Sequence, residues 1–256
     1  MLEAARGQRL EDRGQGMAAT AILYPLSSVL PPCQTRHLGV MRYADAFALQ
    51  RKVVEQRKRG EIPDQLLFVE HPHVVTMGRG GHEENLLAQP ELLERSGIEF
   101  HRSDRGGDVT YHGPGQIVGY PIVDLREWKR DVAAYVRALE QVLIDALAEF
   151  GIAAGREPGA TGVWTADGVA PHGSRAKIAA IGVHISRWVT SHGFALNIDT
   201  DLSYFRYIVP CGLTKPVTSM RELGWSGSAG LAKRDEVAAA LRRGFGRVFG
   251  RKMENV

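Results

Sequence analysis

Apolar residues recur at spacings of three and four from Asp131 to Phe150. Val132, Val136, Leu139, Leu143, Ala146, Leu147 and Phe150 share one stripe, which predicts the chain's clearest helix, stopped by Gly151. The same period predicts a helix from Tyr43 to Arg59 ended by Gly60, and another from Arg234 to Phe249 built on Val237, Leu241, Phe245 and Val248. A short helix within Asn85 to Ser96 is broken or started by Pro90. Elsewhere the pattern shortens. Gln65 to Glu70 is a continuous apolar run between Pro63-Asp64 and His71-Pro72, as expected of a strand buried on both faces. Further strands are predicted at Val74 to Met77, Ile98 to His101, Asp108 to Tyr111, Ile117 to Val123, Gly162 to Trp164, Lys177 to Ile185 and Trp188 to Ile198, with a polar loop from Gly168 to Ser174. This order fits mixed α+β layers rather than strict βαβ alternation.

Residues 1–30 show no sustained period and are expected to form a disordered leader, with one domain over residues 31–256 and the natural start open between Met1 and Met17. The apolar run after Arg13 has no small-x-small cleavage site and is followed by Pro31-Pro32, so a secretory signal fits badly. No stretch reaches the ~18 apolar residues of a membrane span. A cytoplasmic protein with no membrane partner is the expectation.

Composition adds exclusions. With 44% hydrophobic and 24% charged residues the chain is ordinary for a globular protein, and a formal charge of +3 is too mild to imply nucleic acid. Two cysteines, Cys33 and Cys211, cannot make a disulfide framework for 256 residues and point to a reducing compartment. There is no Gly-x-x-x-x-Gly-Lys-[Ser/Thr] motif, and Gly78-Arg79-Gly80-Gly81 lacks the helix opening of a dinucleotide fingerprint. The histidines show no zinc spacing, so neither a metal nor a cofactor is expected.

Three stretches carry candidate chemistry. In Ile208-Val209-Pro210-Cys211-Gly212, a proline and a glycine bracket a sulfur in a tight turn. Taken alone, such a thiol is more often a small buried hydrophobe than a nucleophile. From Arg105 to Gln116, Gly106 and Gly107 on one side and Gly113 and Gly115 on the other flank a short strand, so the backbone can pass close to a ligand. A hairpin with glycine turns would look the same. Lys177 opens the apolar run Ile178 to Val183 and would ordinarily snorkel. Beside Cys211, its cation would favour the thiolate and its amine could carry a proton.

The ordered motifs RGGDVTYHGPGQ, KIAAIGV, SHGFALN and IVPCG closely resemble the octanoyltransferases of lipoate biosynthesis, from about His37 to the last helix. The resemblance implies the catalytic fold shared with biotin and lipoate protein ligases, a large mixed sheet with helices and a smaller sheet beside it. It implies Cys211 as acyl-thioester nucleophile and Lys177 as the residue that lowers its pKa and shuttles protons. It further implies an acyl pocket walled by Arg105, Gly106, Gly107, Asp108, Val109, Thr110, Tyr111 and His112, by Ala180, Ile181 and Gly182, and by Gly193, Phe194 and Ala195. Asp108 and His184 depart from the family's usual residues, which puts any role for them in doubt. The implied donor is octanoyl-acyl carrier protein. The implied acceptors are lipoyl domains of 2-oxoacid dehydrogenase subunits and the glycine cleavage H protein. Two rival readings stay open, an ATP-dependent lipoate-protein ligase and a non-catalytic module that binds acyl carrier or lipoyl domains.

Overall fold

The computed structural model describes residues 30–169, 173, 175–209, 215–228 and 231–256. The expected leader lies almost wholly outside them, as does part of the expected loop from Gly168 to Ser174. In chain order the first elements are β1 (Pro32–Val40), α1 (Tyr43–Lys58), β2 (Asp64–Glu70), β3 (Val74–Met77), α2 (Pro90–Arg95), β4 (Glu99–Arg102), β5 (Val109–His112) and β6 (Gln116–Ile122). Then come α3 (Val132–Ala148), β7 (Ala154–Glu157), β8 (Ala160–Thr165), β9 (Lys177–Ser186), β10 (Val189–Asn197), α4 (Leu231–Phe249) and β11 (Lys252–Asn255). Short 3-10 turns lie at Glu83–Asn85, Leu125–Glu127 and Leu202–Tyr207.

Eight strands form one mixed sheet in the order β11-β1-β2-β6-β10-β9-β8-β7, and β4-β3-β5 form a second, smaller sheet. β11, β1 and β2 run parallel, whereas β2, β6, β10, β9, β8 and β7 pair antiparallel. This is the large-sheet and small-sheet architecture expected from the resemblance. β2 is buried throughout apart from its last residue, in keeping with its unbroken apolar run.

The large sheet has two different faces. Leu66, Phe68, Ile117 and Leu196 point to one core, shared with Leu139, Leu143 and Leu147 of α3 and Val237, Leu241 and Phe245 of α4. Alternate residues Leu67, Val69, Val118, Tyr120 and Ala195 point to the other core, closed by Ala46, Val53 and Val54 of α1. Asp131 caps α3 by accepting from the Ala134 amide at 2.9 Å, and Gly151 ends it at φ +74°. The small sheet packs around Val75, Leu93, Ile98, Val109, Tyr111 and Ile208. A seam is left between the two sheets, on the α1 side.

β1, β7 and β11 do not show in the hydrophobic pattern. Their buried positions are few or polar: β1 buries Cys33 and Thr35, β7 has no fully buried residue, and β11 is a four-residue edge. Pro90 starts α2, resolving the open choice for that segment.

Candidate active site

Four small residues make the floor of the seam. Gly182 pairs with Gly193 and Ala180 with Ala195 across β9 and β10, so neighbouring strands offer almost bare backbone on the same face. The glycines are required by close approach. A Cβ on Gly193 would lie 2.2 Å from the Gly119 carbonyl oxygen, and one on Gly182 would lie 2.8 Å from the Gly106 oxygen. Thr110 and His112 of β5, with Arg105 and Gly107 before them, form the facing wall. Tyr43, Val118, Tyr120 and His192 close the far side. The Arg105 guanidinium is buried and bonds back to the small sheet, Nη2 reaching the Thr76 carbonyl at 2.7 Å and its hydroxyl at 2.9 Å.

Next to this floor a second hollow holds Lys177. Thr110, Ala180 and Ala195 border both hollows, and Gln116, Ala179, Asn197, Phe205 and Val217 complete the second. The Lys177 main chain is bracketed: its amide donates to the Pro216 oxygen at 2.9 Å, and its carbonyl accepts from the Thr218 amide at 3.0 Å. Its ammonium lies 4.8 Å from the centre of the Trp164 ring and makes no ion pair with any of the described residues. Cys211, with Pro210 and Gly212, lies outside the described residues. The chain on either side of it is anchored near Lys177. Phe205 and Val217 share the hollow, and the Val209 amide donates to the Asn85 oxygen at 2.8 Å.

Two buried histidines around the seam are held neutral. His71 Nδ1 faces the Met41 carbonyl at 2.7 Å and must donate to it, so Nε2 accepts from the Tyr120 hydroxyl at 2.7 Å. Burial lowers the His71 pKa to about 4 and that of His112 to about 3, with the neighbouring His71 adding to the fall at His112. Burial also pushes the Tyr120 hydroxyl well above its ordinary range. His192 Nε2 donates to Asp104 Oδ1 at 2.6 Å, which holds that carboxylate below its usual value. Tyr43 stacks on His112 with ring centres 6.3 Å apart, and Phe47 stacks on His192 at 5.4 Å.

Of the fourteen residues expected to wall an acyl pocket, Arg105, Gly107, Thr110, His112, Ala180, Ile181, Gly182, Gly193, Phe194 and Ala195 line the seam. The other four do not. Strand alternation turns Val109 and Tyr111 away from Thr110 and His112 into the small-sheet core, so Val109, expected beside an acyl chain, packs there and not in the seam. The Gly106 amide is tied to the Val183 oxygen at 2.8 Å. Asp108 accepts from the His82 amide at 3.0 Å, from the Val109 amide at 2.7 Å and from the Asn85 side chain, so it organises a loop. His184 stays outside the seam, 3.9 Å from Asp104.

Sequence reasoning passed over Tyr43, Val118, Tyr120 and His192. His192 had a signal, its place inside SHGFALN. Its backbone sits at φ 56°, unusual for a side chain in a strand, and its amide donates to Gln50 Oε1 at 2.8 Å. Among the described residues no cluster of three metal-ligating side chains occurs, and no helix is long and apolar enough to cross a membrane.

Comparison with known proteins adds a family. The model of the lipoyl protein ligase A/B catalytic domain matches residues 42–245. An octanoyltransferase of Solibacter usitatus (strain Ellin6076) is 61% identical over 221 residues, 86% of this chain and 94% of that protein. One of Koribacter versatilis (strain Ellin345) is 52% identical over 220 residues, 84% of each chain. Among solved structures, lipoate-protein ligase A bound with ATP superimposes with a TM-score of 0.68 at 18% identity, over 88% of this chain and 89% of that one. The bi-partite lipoate protein ligase of Thermoplasma acidophilum gives 0.67 at 17% identity over 88% of each. At these identities the structural likeness speaks for the fold alone.

Proposed function

The chain belongs to the lipoyl protein ligase A/B catalytic domain family and carries out octanoyl transfer in protein lipoylation, and on that premise we propose that Cys211 and Lys177 perform the transfer through a thioester on the enzyme. The donor in this reading is octanoyl-acyl carrier protein, and the acceptor is a lysine Nε on a lipoyl domain of a 2-oxoacid dehydrogenase subunit or of the glycine cleavage H protein. Lys177 takes the thiol proton as Cys211 attacks the donor carbonyl. A new C–S bond forms, the old one breaks, and the proton passes to the departing carrier thiolate. The acceptor amine then attacks the acyl-enzyme. An amide bond forms, Cys211 leaves as thiolate, and Lys177 returns to it the proton lost by the amine. One thioester replaces another and an amide replaces the second, so the sequence of steps needs no ATP.

The observation that carries this reading is the shared hollow. Phe205 and Val217, from the two sides of Cys211, line the same space as Lys177, and Ala180 and Ala195 border both that space and the bare floor they form with Gly182 and Gly193. A straight acyl chain suits such a floor, each buried CH2 contributing about 0.8 kcal/mol. Ile181 and Phe194 back the floor from the opposite core.

Intact-protein mass spectrometry after mixing with octanoyl-acyl carrier protein tests the proposal. The expected result is one added octanoyl group, absent in Cys211→Ser and discharged by a lipoyl domain without ATP. Transfer that requires ATP and free lipoate would instead favour the ligase reading. Binding with no adduct and no product would favour a non-catalytic module.

A further inference from the structure

Gln116 and Asn197 are cross-strand partners in β6 and β10, and both side chains are buried. Their hydrogen bonds can be given a direction, because main-chain carbonyls only accept. Asn197 Nδ2 donates to the Thr218 carbonyl at 3.0 Å, which turns Asn197 Oδ1 toward Gln116. Gln116 Nε2 donates to that oxygen at 2.9 Å and to the Tyr111 carbonyl at 3.2 Å. Gln116 Oε1 is then left to accept, and His112 Nδ1 is its donor at 2.7 Å. His112 is thereby fixed as the Nδ1–H tautomer. It offers an acceptor at Nε2 and no donor to the seam it lines.

The other end of the row reaches Lys177. Thr218, held through its carbonyl by Asn197, gives its amide to the Lys177 carbonyl, while Pro216 takes the Lys177 amide and Val217 pairs with Lys177 as a parallel bridge. One carboxamide therefore fastens the segment that brackets the amine-bearing residue. Through Gln116, which the Tyr111 carbonyl also orients, it helps set the polarity of a wall histidine. The strand pairing of β6 and β10 does not itself require a polar pair at this position, and an apolar pair there would leave both ends of the row unfixed.

We propose that Asn197, acting through Gln116 and Thr218, is a positioning residue for the acyl transfer, fixing the placement of Lys177 and the tautomer of His112 together. The proposal rests on the assignment of Lys177 and the seam given above. Asn197→Asp is nearly isosteric and separates the two ends of the row. It keeps the acceptor for Gln116 but puts an oxygen against the Thr218 carbonyl.

The experiment reads the resting protein first and turnover second. In 15N spectra the wild-type His112 is expected as the Nδ1–H tautomer, and Asn197→Asp should leave it so. In that variant the Thr218 amide should exchange at least about tenfold faster, with the Leu196 and Val118 amides as unchanged references. The kcat for octanoyl transfer should drop about tenfold or more, with KM for the octanoyl carrier protein moving less than about threefold. Gln116→Glu reports from the other end and decides the matter if Asn197→Asp does not fold. Its carboxylate should let His112 take up a proton at a higher pH than in the wild type, and kcat should again decrease. A wild-type Nε2–H tautomer, or an unchanged kcat in a folded variant, overturns the proposal. Absence of transfer by the wild type would count against the functional reading alone, since tautomer and exchange are measured without substrate.

Discussion

Lys177 holds its ammonium 4.8 Å from the centre of the Trp164 ring, and the two residues are register partners across β8 and β9. Both are buried. The aromatic face substitutes for a carboxylate: it steadies the cation without an ion pair that would tie it down. A cation over an indole is worth about 0.5–2 kcal/mol. Trp164→Phe, which keeps a ring, is expected to retain most of the transfer rate. Trp164→Leu should lower it about 2- to 30-fold, the same energy converted to a rate. Single-turnover transfer by the two variants, at a temperature where both are folded, checks the difference.

Acidification should destabilise the fold through His71 and His112. Both are neutral in the folded protein, with pKa values lowered to about 4 and about 3 from an ordinary 6.5. The unfolded chain takes up these protons as pH falls through 6.5, whereas the folded chain does not. Stability is therefore complete above pH 6.5 and lost progressively below it, by about 1.4 kcal/mol per pH unit for each histidine. Urea unfolding near pH 7 and near pH 5 should show a lower midpoint in acid. His112→Gln should reduce that loss by about half.

Gly193→Ala is expected to be severe. The added methyl would sit 2.2 Å from the Gly119 oxygen and 2.5 Å from a Pro121 ring carbon, neither of which can swing aside. Overpacking of this kind costs typically about 1–3 kcal/mol, occasionally more. Gly182→Ala meets one atom closer than 3 Å, the Gly106 oxygen at 2.8 Å, with Arg105 Cδ next at 3.1 Å, so it should cost less. Urea midpoints of the two variants should fall in that order, and equal midpoints would mean that β10 does not press on β6 as closely as described.

The elements that sequence pattern reached are those whose burial is apolar. α3 shows its stripe because Leu139, Leu143 and Leu147 meet α4, and β2 shows an unbroken run because both its faces are covered. β1 escaped notice since its buried end packs Cys33 beside an ionic cluster in which Arg57 and Arg251 both grip Asp64, at 2.9 and 2.8 Å. That burial leaves no hydrophobic period to read. Similar limits applied to the site. The glycines of Arg105 to Gln116 announced a close approach, but which side of β5 faces the seam depends on register, and register placed Thr110 and His112 inward and Val109 and Tyr111 outward. Tyr43 was legible as a helix-face residue and not as a wall, because its neighbours His71 and His112 come from distant parts of the chain, the turn after β2 and the end of β5.

Asp108 offers a last discrimination between holding a ligand and holding a loop. Its carboxylate accepts from the His82 and Val109 amides and from the Asn85 side chain, and the Asn85 carbonyl in turn accepts the Val209 amide at 2.8 Å. The carboxylate thus supports the turn on which the chain leading to Cys211 is anchored. Removing it leaves donors unpaired, at about 1–3 kcal/mol. Asp108→Ala should accordingly lower stability, speed hydrogen exchange at the Val209 amide and reduce kcat. The ranking of acyl donors by chain length should stay as in the wild type, because the carboxylate is not among the groups that line the seam. Transfer from hexanoyl, octanoyl and decanoyl carrier protein by the two proteins measures that ranking. A changed order would show that Asp108 faces the acyl chain after all, and that the loop role is secondary.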